Sequence, residues 1–257
     1  LYERVQSFWG NSELEATGAP TEGERAVLQP LVYQGLLSAE ILTDEAVMAP
    51  VSGQRQLDRK NLRRASQLMD EAGWRVNADG MREKDGQVFT LEVLDSSPAF
   101  DRITNPMIEN MKALGIDARL NRVDTAQESE RTRAYDFDVT THSMRMGFEP
   151  SSGLEQYFGT KAMDQSSRNL MGLSDPAVDA LIEKVVRAQS KAELNTNIRA
   201  LDRVLRAKRF WIPQWFKAVH TVAYYDQYAY PEPLPPFARG ELDFWWFDAK
   251  KAAKLEA

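Results

Sequence analysis

Two histidines, His142 and His220, are the whole imidazole complement of a 257-residue chain that has no cysteine. Thiol catalysis, zinc–thiolate sites and iron–sulfur clusters all need sulfur and are excluded. No His-Glu-x-x-His helix occurs, and no histidine pair stands at ligand spacing, so neither a metal centre nor a cofactor is expected. Asp136 and Asp138 flank Phe137, and strand alternation would put both carboxylates on one face, as acid–base chemistry requires. Acids at a strand start near solvent fill the same pattern. No Gly-x-Ser-x-Gly elbow, Walker A loop or Rossmann glycine fingerprint is present. Ser151-Ser152-Gly153 reads as a loop capping a helix that carries Leu154, Tyr157 and Phe158. His142 ends a predicted strand, and open α/β sheets take their ligands beyond the carboxyl ends of strands. The residue types favour binding over turnover, and the chain is expected not to be an enzyme.

The surrounding elements must position these residues. Residues 1–57 are loop-rich, punctuated by Pro20, Pro30, Gly35 and Pro50, with short helices expected at 22–28 and 40–48. The spacing of Leu62, Ala65, Leu68, Met69 and Ala72 predicts a helix over 58–72, with Asp58 as N-cap and Gly73 as the stop. Turn signals at 77–80 and 84–86 frame a hairpin, and 88–94 alternates as a half-buried strand. A helix is predicted over 101–114, starting or bending at Pro106. A strand over 116–123, a helix from Asp124 or Thr125 to 133, and a strand over 137–143 follow. Strand–helix–strand–helix–strand with short connections argues for an α/β lobe whose crossover helices bring the strands side by side. Asp175-Pro176 opens a helix to 188, and 191–207 forms another with Leu194, Ile198, Leu201, Val204 and Leu205 inward. Segments 211–216 and 220–225 read as strands. Pro231, Pro233, Pro235 and Pro236 make a stiff connector ahead of Phe244-Trp245-Trp246-Phe247, an aromatic run that must dock onto something.

Composition narrows the class. Hydrophobic residues at 43% and charged residues at 27% describe a globular chain with a substantial core. With 32 basic against 38 acidic residues the net charge is −6, so the chain lacks the basic footprint of a nucleic-acid binder. No stretch approaches the length of a transmembrane helix. The opening Leu1-Tyr2-Glu3-Arg4 has neither an initiator Met nor a signal peptide, which leads us to expect a processed product or a piece of a longer protein.

Three ordered segments carry a resemblance. The first is Leu62 to Trp74, a helix ending in Glu71-Ala72-Gly73-Trp74. The second is Leu114-Gly115-Ile116-Asp117 leading to Val123-Asp124 and Tyr135-Asp136-Phe137-Asp138-Val139. The third is Asp175-Pro176-Ala177-Val178-Asp179-Ala180-Leu181-Ile182, followed by Trp211-Ile212-Pro213-Gln214-Trp215. Together they resemble the C-terminal half of family 5 extracellular solute-binding proteins, the peptide-binding components of bacterial ABC importers. The opening Ser7-Phe8-Trp9-Gly10-Asn11-Ser12-Glu13-Leu14 looks like the subgroup that includes microcin C and oligopeptide uptake proteins.

The resemblance implies an α/β lobe of the periplasmic-binding-protein type II kind, a mixed sheet flanked by helices. It divides the chain into a lead-in (1–57), the second lobe (58–210) and a hinge-return segment with an aromatic and Pro-rich tail (211–257). That tail would run toward a first lobe outside this chain. The implied function is a hinged clamp that closes on an oligopeptide and presents it to an ABC permease, periplasmic or membrane-anchored at the cell exterior. The alternatives are a non-peptide solute (sugar, opine or metal chelate) or a hydrolase whose active groups lie in the N-terminal half. Relatives that bind peptide N-termini carry an Asp in the loop after the third strand, before a Glu-Pro or Asp-Pro pair. Here that loop contains no such Asp. The ligand-binding residues implied are His142, Ser143, Met144, Arg145, Met146, Phe148 and Glu149. Glu149 would replace the Asp, or Arg145 would anchor a carboxylate or modified group, with Met144, Met146 and Phe148 as an adaptable apolar wall.

Overall fold

The computed structural model of the chain describes residues 2–53, 55–163, 168–219, 221–234 and 243–255. His220, Pro235 and Pro236 lie outside the described residues. In chain order the elements are β1 (Tyr2–Arg4), α1 (Glu22–Tyr33), α2 (Arg59–Glu71), β2 (Arg75–Val76), β3 (Arg82–Lys84), β4 (Gln87–Val88), β5 (Thr90–Asp95), α3 (Asp101–Lys112), β6 (Asp117–Arg122), α4 (Thr125–Arg133), β7 (Val139–Thr140), α5 (Leu154–Phe158), α6 (Pro176–Val186), α7 (Lys191–Ala207), β8 (Trp215–Lys217), β9 (Tyr228–Ala229), β10 (Trp246–Phe247) and α8 (Ala249–Ala252). They form two compact units, one of Gln6–Pro213 and one of Leu1–Val5 with Gln214–Ala257.

The centre of the larger unit is a three-stranded parallel sheet in the order β6-β5-β7, with α3 and α4 as its crossover helices. Val93 pairs with Leu120 on one side and Val139 on the other. Val93, Ile108, Ile116 and Ala118 are buried where α3 covers one face. A second core is helical: Leu28 and Leu31 of α1, Leu154 and Phe158 of α5, and the inner faces of α6 and α7 close around Trp9 and Leu14.

Local chemistry sets most helix starts. Asp58, Asp124 and Ser190 each accept a hydrogen bond from the backbone N–H three residues on. Asp175 accepts two, from Ala177 and Val178. Prolines sit inside α1 (Pro30) and α3 (Pro106), and both helices continue through them. Each therefore gives up a single backbone bond, which the packing of neighbouring Leu28, Leu31 and Ile108 offsets.

Several expected elements differ. The predicted strand over 88–94 is split: Val88 pairs with Glu83 in a small antiparallel sheet of order β2-β3-β4, and the chain then joins the parallel sheet at Thr90. The predicted helix over 40–48 shrinks to a 3-10 turn at Ala39–Leu42. Arg203 and Arg206 claim the carbonyls of Asp44 and Val47, at 3.2 and 2.8 Å, which holds that segment out of a helix. The third strand is only Val139–Thr140, so His142 lies past its end. Residues 221–225 form no strand. The strand expected over 211–216 begins at Trp215, after Pro213, and pairs with Tyr2–Arg4.

Candidate ligand-binding site

All three strands of the parallel sheet point their carboxyl ends to one edge, where β5 ends at Asp95, β6 at Arg122 and β7 at Thr140. Side chains and backbone groups in the following loops converge there because parallel pairing forces every crossover to return to the opposite edge.

The segment from His142 onward leaves this edge without regular structure. Met144 and Met146 are half-buried and pack against the helical core, while Ser143, Arg145 and Gly147 are exposed. The alternation is that of an extended chain with one face pinned and the other open. The two methionines therefore anchor the segment. Phe148 remains 55% exposed. Glu149 lies in the field of Lys191, whose ammonium bonds Glu13 at 2.8 Å and is held above its ordinary pKa, first by that hydrogen bond. The His142 ring is exposed in part, yet desolvation lowers its pKa below 6.5 while the Glu128 carboxylate opposes the shift. The imidazole is therefore neutral near pH 7.

Glu128 and Ser96 belong to the same edge and were missed from the sequence. Ser96 Oγ donates to Glu128 Oε2 at 2.6 Å across a separation of 32 residues. Applying the carboxyl-end rule to every strand, and not only to the third, would have pointed at both. Asp95 is 4% exposed; its Oδ1 accepts from the Ser97 N–H at 2.7 Å and from Arg122 at 3.1 Å, and Oδ2 has no hydrogen-bond partner among the described residues.

Asp136 and Asp138 do not form a catalytic pair. Asp136 accepts from Arg131 Nε at 2.8 Å, and Asp138 accepts from the Glu92 N–H at 2.8 Å. Arg131 also bonds Glu92 at 2.7 Å. The Arg131 contacts attach α4, which buries no residue, to the sheet, while the Asp138 bond holds the chain entering β7 to β5. Ser151-Ser152-Gly153 serves α5 through backbone bonds: the carbonyls of Ser151 and Ser152 accept from Leu154 and Glu155 at 3.0 and 3.1 Å, and no side chain caps the helix. Trp211 stacks on Phe8 with ring centroids 4.1 Å apart inside the larger unit. In the smaller unit Trp245 packs between Tyr224 and Tyr230. Among the described residues no group of three or more His, Cys, Asp or Glu is placed to hold a metal ion. No helix among them is long and apolar enough to cross a membrane.

The family model "Bacterial extracellular solute-binding proteins, family 5 Middle" matches residues 25–165. The chain is 38% identical over 254 residues to protein y4wM of Sinorhizobium fredii, covering 98% of this chain and 38% of that one. It is 38% identical over 247 residues to the probable peptide-binding protein YejA of Agrobacterium fabrum, covering 95% of this chain and 40% of that one. The chain thus spans about two fifths of the length of these relatives. Its fold is similar to that of the Bacillus subtilis oligopeptide-binding protein AppA in complex with a nonapeptide (TM-score 0.55, 16% identity, 84% of this chain and 46% of that one). It is also similar to that of a periplasmic oligopeptide-binding protein from Thermotoga maritima (TM-score 0.53, 18% identity, 83% and 47%).

Proposed function

Because the chain belongs to the bacterial extracellular solute-binding proteins of family 5, we propose that it forms the second lobe of a peptide-binding protein serving an ABC importer. The observation that carries this reading is the open carboxyl edge of the β6-β5-β7 sheet, continued by an extended segment with one face pinned by Met144 and Met146. An exposed segment without regular structure suits an extended peptide, which is gripped through its main chain with side-chain pockets left roomy. His142, Ser143, Arg145, Phe148 and Glu149 meet the ligand, and Arg145 takes its carboxylate end. A first lobe, supplied by the rest of a longer parent, closes over the ligand about a hinge. The extra contacts made only in the closed state drive that closure. The closed form is presented to a permease from the periplasm or the outer face of the membrane. The Agrobacterium relative's description as a probable peptide-binding protein supports the ligand class.

A non-peptide solute is the second reading. It is favoured by the same fold in a Thermotoga maritima oligopeptide-binding protein described with bound mannohexaose (TM-score 0.52) and in NikZ of Campylobacter jejuni described with Ni(L-His) (TM-score 0.51). Mass spectrometry of the full-length parent, native and then denatured, separates the two. Released peptides are the expected result, and a discrete sugar or chelate overturns the peptide class. An empty protein that hydrolyses a test ester or peptide overturns the transport reading.

A further inference from the structure

Helix α2 and the segment leading into it carry charge opposite in sign to that of the whole chain. Between Val51 and Arg64 stand five cations, Arg55, Arg59, Lys60, Arg63 and Arg64, against one acid, Asp58, in a protein whose net charge is −6. The helix sorts them. Asn61, Leu62, Ala65, Ser66 and Met69 are half-buried on its inner side, while Arg59, Lys60, Arg63 and Arg64 are exposed on the outer side. Arg59 and Arg63 stand one turn apart, as do Lys60 and Arg64, and like charges so placed repel. Arg64 bonds Glu71 at 3.2 Å. Arg55, Arg59, Lys60 and Arg63 form no ion pair among the described residues.

The neighbouring acids are used elsewhere. Asp58 caps α2 on the Asn61 N–H at 2.8 Å, Asp70 pairs with Arg82 and Arg75, and Asp101 pairs with Arg122. Glu109 of α3 is the one acid left on these elements. Apolar side chains share the same surface. Every described residue from Pro50 to Leu57 is exposed but for none, with Val51 73% and Leu57 49% open. Asn61 Nδ2 donates to the Val51 carbonyl at 3.2 Å and Asn110 Nδ2 to the Gln56 carbonyl at 3.1 Å, which holds this segment to α2 and α3. Arg55 lines a recess with Ile103, Pro106 and Met107 of α3, and Ile103 is itself exposed. Leu68, also exposed, lies one turn beyond Arg64 on α2.

We propose that this face, the outer side of α2 with the 51–57 segment and Ile103, docks peripherally on a bilayer bearing anionic headgroups. The cations alone would suit any polyanion. Set among Val51, Leu57, Ile103 and Leu68, they suit a partner that is anionic at its surface and apolar just beneath. Long guanidinium and ammonium side chains reach the phosphates while the shorter apolar ones meet the acyl boundary. Each cation near the lipid adds to the attraction, which decays within a Debye length. The acidic remainder of the chain is repelled by the same headgroups, so the patch also sets which side of the lobe faces the membrane.

The test is cosedimentation of the full-length parent with vesicles. One set holds phosphatidylglycerol and phosphatidylethanolamine in equal parts, the other phosphatidylcholine alone. Wild type is expected to partition onto the anionic set at least about tenfold more strongly at about 0.05 M salt, and to lose most of that preference at about 0.5 M. R59Q/K60Q/R63Q is expected to lose the preference at low salt with its peptide binding and urea midpoint unchanged. Should the triple variant fold poorly, R59Q and R63Q are each expected to weaken anionic binding about fivefold. V51S/L57S keeps every cation and is expected to weaken binding to anionic vesicles while leaving binding of soluble polyglutamate unchanged. Three results overturn the proposal: equal partitioning onto both vesicle sets, an undiminished preference in the triple and both single variants, or vesicle binding by V51S/L57S equal to wild type. The last would assign the cations to an acidic protein segment. The peptide reading fails separately, by mass spectrometry of the same protein, and its failure leaves the vesicle result standing.

Discussion

Arg203 and Arg206 lie on one face of α7 with their side chains almost entirely buried. Arg203 bonds the Glu24 carboxylate at 2.8 Å and donates to the carbonyls of Gly18 and Asp44. Arg206 pairs with Asp202, which also accepts from Ser7 Oγ and the Ala16 N–H. Guanidinium groups bind the loop-rich N-terminal segment here because their forked donors satisfy several buried carbonyls at once. Truncating one partner strands a buried charge. Arg203→Met is expected to cost about 3–5 kcal/mol in urea unfolding, and a loss under about 1 kcal/mol would show that Glu24 finds water. Glu92 gives the pH test. Its carboxyl is held below its ordinary 4.5, first by the Asn121 hydrogen bond and then by Arg131. A depressed carboxyl contributes stability that is present above the unfolded value and lost as pH falls through the folded one. Wild type should therefore lose more stability than Glu92→Gln on acidification from about pH 5 to about pH 3. Parallel acid limbs in the two proteins would contradict this.

At the scale of elements, the β2-β3-β4 sheet is locked to α2 and α3 through Arg82. It donates to Asp70 at 2.7 Å, to the Trp74 carbonyl at 3.0 Å and to the Leu114 carbonyl at 2.9 Å. Gly115 makes this approach possible. Its φ is +87°, and a Cβ there would meet the Gly80 carbonyl oxygen at 2.6 Å. Gly115→Ala is expected to destabilise by more than about 1 kcal/mol, read as a lower midpoint in urea. An unchanged midpoint would mean that the neighbouring turn yields freely. Helix starts at Asp58, Asp124 and Asp175 were legible in the sequence because these side chains act on N–H groups within the next turn. The split at Phe89 between two sheets was not legible, since Val88 and Thr90 are distinguished only by their partners, Glu83 and Asp117.

For the whole molecule, the two compact units differ in how they are held. The larger carries two apolar cores and the long α7. The smaller is built from strands of two or three residues and an aromatic cluster around Trp245, with Phe247 60% and Tyr225 78% exposed. Native-state hydrogen exchange should show amides of Ile198 and Leu201 opening only with global unfolding, and those of β8, β9 and β10 exchanging through local opening. Equal protection in both units would count against this difference in stability.

The sequence by itself determined the helices other than the one expected over 40–48, the strand–helix alternation of the lobe and the family resemblance. Each of these depends on spacing or on contacts within one or two turns of chain. Only the tertiary structure decided which loops share an edge. Parallel pairing brings Ser96 to Glu128, 32 residues away, and separates the candidate pair: Asp136 fastens α4 through Arg131, and Asp138 binds the Glu92 N–H of β5. Helix packing also spends α7's charged residues on the backbone of the N-terminal segment, up to 190 residues distant. Such contacts leave no local periodicity, because the free energy that selects them comes from satisfying buried polar groups at a distance.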